Sequence, residues 1–213
     1  TTEIAVISLG GIVSNKSIRI AGDDLTDDIQ EYMRHQHNIR IGERTAEQIK
    51  IHVGSALSEL DDPPADFIVQ GPNQMTSLPV EVPVSYQEIA HCLEKSISKI
   101  EIAILGALEQ TPPELYADIV NKGIYLAGGG ALLRGLDKRL TDKLNIPSSN
   151  LTKENVREEL VKRGVSPEAA QKYIDIIVEC EYAQYAPAAT GRMTEVYGAG
   201  VEMVSRLESI IGK

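Results

Sequence analysis

Hydrophobic positions change their spacing along the chain, and the changes mark out its elements. Glu3–Leu9 is apolar at nearly every position, which reads as a strand buried on both faces and central in a sheet. Ile12–Ile20 is rich in β-branched residues but carries Ser14, Lys16 and Arg19, so it reads as half exposed. Gly10-Gly11 stands between the two runs as a two-residue hairpin turn. Beyond them the apolar positions Leu25, Ile29 and Met33 recur at steps of four, behind Asp23 and Asp24, which suit a helix N-terminus. A second helix is expected within Ile41–Leu60, followed by a loop at Asp61–Ala65. Phe67–Gln70 and Leu78–Val84 read as strands, the second kept at a sheet edge by Pro79 and Pro83.

Ser85, with Glu88 three residues on, predicts a capping box and the start of the longest helix. Ile89, Leu93, Ile97, Ile100, Ile104 and Leu108 make one continuous apolar stripe along it. Thr111-Pro112-Pro113 ends that helix, and a short helix follows over Glu114–Asn121. Then comes IYLAGGGALLRGL, Ile124–Leu136: a short strand, three glycines, and a return to helical spacing. After Pro147 the strand signals vanish. Thr152 caps a helix over Lys153–Arg163, Gly164 stops it, Ser166-Pro167 opens a helix to about Tyr185, and a last helix covers roughly Thr190–Ile211. Three helices without a strand predict a separate module.

Composition narrows the function classes. The chain has 213 residues and a net charge of −10. That charge disfavours nucleic acid or an anionic membrane as the main partner. No stretch approaches the roughly 20 apolar residues of a membrane-spanning helix. The basic cluster Arg134 to Lys143 is interleaved with Asp137 and Asp142 and reads as a solvated helix face. Cys92 and Cys180 fall inside expected helices, which points away from a disulfide framework and toward a reducing, cytoplasmic setting. Cys180, between Glu179 and Glu181, reads as a packed, unreactive thiol, and Tyr173, Tyr182, Tyr185 and Tyr197 as a helix-packing set. His35 and His37 lie on different helix faces, so no shared metal site is expected, and no catalytic constellation emerges. The opening TTEIAVIS has no initiator Met or basic leader and reads as the middle of something longer.

Three glycines between a strand and a helix admit two readings. They let a ligand lie against bare backbone and aim helix N–H groups at it, or they let a helix pack tightly on a strand. The spacing is not that of a dinucleotide fingerprint, and no Walker lysine follows. Glu47 and Lys50, three apart on one helix face, are likewise either ligand contacts or a surface ion pair.

The order of the motifs adds to this. TTEIAVISLGG, the helix with GERTAEQIK, and later ELYADIVNKGIYLAGGGALLRGLDKRL closely resemble the second half of the bacterial MreB family, actin-like rod-shape proteins. The resemblance covers about residues 1–147. It implies an α/β fold: an actin-like (ribonuclease H-like) ATPase lobe, truncated, with a small α+β subdomain. Residues 1–22 and 122–147 would form subdomain IIA, residues 23–121 the subdomain IIB insertion, and residues 148–213 a helical tail module. In the family the segment ending at Thr1 is the second phosphate loop, so Thr1 would meet the phosphates through its backbone and hydroxyl. Glu47, Gln48, Ile49 and Lys50 would lie at the ribose and neighbouring groups. Gly128, Gly129, Gly130 and Ala131 would form the wall against adenosine.

The implied cofactor is ATP, with Mg2+ in the intact family, and the implied partners are nucleotide and further filament subunits. Hydrolysis in this fold needs groups from both lobes, so the chain is expected to be inactive as an ATPase. The tail, residues 148–213, with its run from Leu151 to Pro187 followed by a terminal helix, is similar to the C-terminal helical segment of BatD-type aerotolerance proteins, which would make the chain a chimera joined near Asp142–Pro147. The competing reading is a non-enzymatic helical interaction or scaffold protein.

Overall fold

The structure is a computed structural model describing residues 1–185 and 190–211. The chain divides into two compact units, Thr1–Asn150 and Leu151–Lys213.

The first unit opens with strands β1 (Thr2–Ser8) and β2 (Gly11–Ile18), an antiparallel hairpin in which Thr2 faces Ile18 and Ser8 faces Gly11. The turn is Leu9-Gly10, one residue earlier than the glycine pair suggested. Both residues have positive φ, 50° and 74°, as a primed hairpin turn requires. Gly11 is left to start β2. The strand β1 is not buried on both faces. Ile4 packs against the core while Ile7 points outward, 68% exposed.

Helix α1 spans Gly22–Gln36, with Leu25, Ile29 and Met33 buried as the periodicity predicts. Its N-terminus is closed by Asp24, whose carboxylate accepts the Ala21 N–H at 2.8 Å. Helix α2, Glu43–Val53, stops well short of Leu60. Beyond it the Ser55 hydroxyl donates to the Leu57 carbonyl (2.7 Å), and Ala56 N–H donates to the Arg134 carbonyl (2.8 Å), so this backbone is committed elsewhere. Strands β3 (Phe67–Pro72) and β4 (Pro79–Val84) form a second antiparallel pair.

Helix α3 (Tyr86–Glu109) is capped by Ser85, whose Oγ accepts from Glu88 N–H at 3.4 Å. Only half of the expected box forms, because the Glu88 carboxylate turns to His37 at 3.0 Å. Ile89, Leu93, Ile97, Ile104 and Leu108 are buried and Ile100 partly so, packing α3 against α1 and the β1–β2 hairpin. Each fully buried side chain in this stripe contributes about 2 kcal/mol.

Helix α4 (Pro113–Lys122) leads to β5 (Ile124–Leu126), a 3-10 turn at Gly129–Leu132, and α5 (Leu136–Leu144). Strand β6, Ser148–Asn150, then pairs with β5 in parallel. Strands therefore do not end at Pro147, although their sequence signals do. This strand is three polar residues held through their backbone, with no apolar pattern to announce it. The strands among the described residues form three two-stranded ladders.

The basic cluster is also not simply solvated. Arg139, with a side chain 14% exposed, binds Glu94 through both terminal nitrogens (2.6 and 2.8 Å) and Glu101 through Nε (2.5 Å). Glu101 is buried, so α5 is tied into α3.

The second unit holds α6 (Lys153–Lys162), α7 (Pro167–Tyr185) and α8 (Thr190–Ile211). Thr152 caps α6 by accepting from Asn155 N–H at 3.2 Å, and Ser166 caps α7 by accepting from Ala169 N–H at 3.3 Å. Val165, Ala170, Met203 and Leu207 are its buried core, with Tyr173 packed against them. The tyrosine set is otherwise not a packing set. Tyr182 and Tyr197 are 72% and 73% exposed, the inward positions being taken by aliphatic residues. The Tyr185 side chain lies outside the described residues. Cys180 is exposed on α7 rather than packed. No helix among the described residues is long and apolar enough to cross a membrane.

Candidate nucleotide site

The glycine turn leaves β5 through Gly128, whose φ of 88° is one that side-chain-bearing residues rarely adopt. Gly129 and Gly130 follow in the 3-10 turn, held by Ala131 N–H to the Gly128 carbonyl and Leu133 N–H to the Gly130 carbonyl, both 3.2 Å. A Cβ built on any of the three glycines would meet no atom within 4 Å. Tight packing of helix on strand is therefore not the reason for glycine at these positions. The main chain is bare and faces outward. Ala131 is buried behind it.

Glu47 and Lys50 are more than a surface ion pair. Lys50 Nζ lies 2.6 Å from Glu47 Oε2 and donates to the Gly22 carbonyl (2.8 Å) and to Thr26 Oγ1 (2.9 Å). All three ammonium protons thus have acceptors within the chain. The Thr26 hydroxyl is also 2.7 Å from Glu47 Oε2. The Lys50 side chain is 15% exposed and that of Glu47 43% exposed, so the carboxylate is the member presented to the outside. Burial works against the charged form of Glu47. The hydrogen bonds from Lys50 and Thr26, together with the Lys50 charge, outweigh it and hold the carboxyl below its ordinary range.

Thr26 was not singled out from the sequence, although a signal exists. It lies three before Ile29 and seven before Met33, so it is a polar residue on the apolar stripe of α1, 3% exposed. Gln48 is exposed. Ile49 is fully buried with Ala46 and Val53 on the core face of α2, and its side chain is turned away from the pair. Thr1 is exposed, immediately before β1. Its neighbour Thr2 donates from Oγ1 to the Ile20 carbonyl at 2.6 Å, beside the α1 N-terminus that Lys50 reaches.

The glycine turn and α2 are joined directly. Arg134, two residues past the 3-10 turn, donates from Nη1 to the Ile51 carbonyl at 3.0 Å, and its own carbonyl accepts from Ala56 N–H. The chain approaches closely here because position 54 is glycine: a Cβ there would fall 2.1 Å from the Lys50 carbonyl oxygen and 3.0 Å from the Leu133 side chain. The assembly offers outward main chain at the glycine turn, tied through Arg134 to α2, and on α2 a carboxylate held by an ammonium. No cluster of three or more His, Cys, Asp or Glu side chains suited to a metal occurs among the described residues.

The order of these elements is that of an actin-like ATPase lobe. The structure matches MreB5 of Spiroplasma citri bound to ADP with a TM-score of 0.68 at 37% identity, covering 72% of this chain and 46% of that one. The same protein bound to AMPPNP gives a TM-score of 0.67 at 38% identity, covering 70% and 44%. A model of the MreB/Mbl protein family matches residues 1–165, and the chain belongs to that family. The match runs past Pro147, where the sequence pattern changes. The chain is 42% identical over 147 residues to the cell shape-determining protein Mbl of Bacillus cereus, 69% of this chain and 44% of the relative. It is 43% identical over 147 residues to the cell shape-determining protein MreB of Escherichia coli, 69% and 42% respectively. The chain thus spans less than half the length of the curated relatives it matches.

Proposed function

We propose that the first unit is the nucleotide-binding half of a bacterial actin of the cell-shape class, built to take ATP. In this reading Gly128, Gly129, Gly130 and Ala131 are the wall against adenosine. Glu47 accepts from the ribose hydroxyls, Lys50 and Thr26 hold that carboxylate, and Thr1 lies toward the phosphates. Gln48 borders the site, and Ile49 supports it from the core. Residues 1–22 and 122–147 correspond to subdomain IIA and residues 23–121 to subdomain IIB. Mg2+ is assigned to the phosphates of the nucleotide, since no set of metal-ligating side chains stands ready for it among the described residues. The observation that carries the reading is the empty space over three glycines, joined through Arg134 to the helix bearing Glu47 and Lys50.

Phosphoryl transfer in this fold depends on positioning and charge stabilisation from both sides of the cleft. Nucleotide binding without useful hydrolysis follows for these residues, and filament assembly is the part of the family's function that calls for the whole two-lobed fold. Isothermal titration with Mg-ATP, with phosphate release measured alongside, tests this. Saturable binding weaker than micromolar, without turnover, supports it. No saturation overturns the nucleotide reading, and submicromolar binding or sustained phosphate release overturns the assignment to half a cleft.

A further inference from the structure

We infer that Arg134 is a positioning residue, latching the glycine turn onto the last turn of α2 and so setting the span between the adenosine wall and Glu47. This rests on the nucleotide reading above. The glycine turn has little means of holding itself in place. Its three glycines have no side chains, and a Cβ built on any of them would meet no atom within 4 Å. Its hydrogen bonds to Gly128 and Gly130 come from Ala131 and Leu133 within the turn, and the strand that feeds it pairs only over three residues with β6.

The anchor lies just downstream. Leu133 is buried against Gly54, and the Arg134 carbonyl accepts from Ala56 N–H at 2.8 Å. The Arg134 guanidinium then reaches back to the Ile51 carbonyl at 3.0 Å. That carbonyl is among the last four of α2, which have no partner within the helix, and a cation there also complements the helix dipole. Ile51 follows Glu47 by four residues, one helical turn along the same face. One side chain therefore connects the bare main chain to the turn of helix that presents the carboxylate. Arg139, five residues on, differs: it is bound to the buried Glu101 and the more exposed Glu94 and holds α5 to α3.

Because the main-chain bond from Ala56 to Arg134 does not depend on the side chain, removing the guanidinium loosens the turn without unfolding the unit. The test compares the whole chain with its Arg134→Ala and Arg134→Lys forms by amide hydrogen exchange and by ATP titration. In Arg134→Ala, the Ala131 and Leu133 amides are expected to exchange about tenfold faster and ATP to bind about tenfold more weakly, as loss of one charged-donor hydrogen bond implies. Core amides of α1 and α3 keep their protection, and Arg134→Lys restores much of both effects.

A general loss of stability would instead move the core amides too, and that result overturns the latch. Unchanged exchange at Ala131 and Leu133 overturns it as well, whatever ATP does. Faster exchange with unaltered ATP affinity overturns the positioning role. If the unaltered chain binds no ATP while exchange responds as expected, the nucleotide reading falls and the positioning role falls with it, leaving a structural latch.

Discussion

The Lys50 ammonium lies 2.6 Å from Glu47 Oε2 and closes a ring of hydrogen bonds that takes in Thr26 and the Gly22 carbonyl on the neighbouring helix. One basic side chain thereby joins α1 to α2 and fixes the direction of one acidic side chain.

That ring makes stability depend on pH with a definite sign. The folded-state pKa of Glu47 is lowered, burial being outweighed by the bonds from Lys50 and Thr26. Its contribution is fully present above the unfolded carboxylate range and is lost as pH falls through the lower folded value. Urea titrations of the chain and of Glu47→Gln are expected to differ by about 1 kcal/mol at neutral pH, the exposed carboxylate being partly screened. The difference should close as the solution is taken acid of the ordinary carboxylate range. A gap that persists there would assign the effect to packing rather than charge.

The Arg139 cluster should behave more severely. Glu101 is buried and depends on Arg139 for its counter-charge. Arg139→Ala is expected to cost about 3 kcal/mol, because it strands a buried carboxylate. Glu94→Ala, at a site whose side chain is 54% exposed, should cost less than about 1 kcal/mol. Denaturant midpoints of the two variants measure this ordering, and the reverse order would contradict the buried network.

The two cysteines should separate cleanly under a thiol reagent. Burial, helped by the nearby charges of Asp28 and Glu88, pushes the Cys92 thiol up to about 12, and its Sγ donates to the Asp28 carbonyl at 3.3 Å. Cys180 is exposed. At pH 8 one equivalent should label quickly, at Cys180, and the second only on denaturation. Mass spectrometry of the peptides assigns the sites.

Much of the fold was legible because it rests on local rules. The α3 stripe, the Ser85, Thr152 and Ser166 caps, and the positions of α1 and the glycine turn all follow from periodicity and capping chemistry. What escaped is held by partners distant in sequence. The β6 strand is three polar residues recruited through backbone pairing with β5. The early end of α2 depends on Ala56 finding the Arg134 carbonyl. Arg139 looks like any solvated helix cation until α3 supplies Glu94 and Glu101. At the candidate site, the spacing of Glu47 and Lys50 was visible, but their tie to Thr26 required α1 to be placed beside α2.

The most direct measurement is residue-resolved amide NMR of the chain titrated with Mg-ATP, beside Gly129→Val. A side chain at Gly129 enters empty space, so the fold should be unaltered and the space meant for adenosine filled. The expected result is saturable shifts at Gly128–Ala131 and around Glu47 in the unaltered chain, absent in Gly129→Val at equal thermal stability. Shifts confined to other surfaces, or identical titrations for the two proteins, would contradict an adenosine wall at the glycine turn.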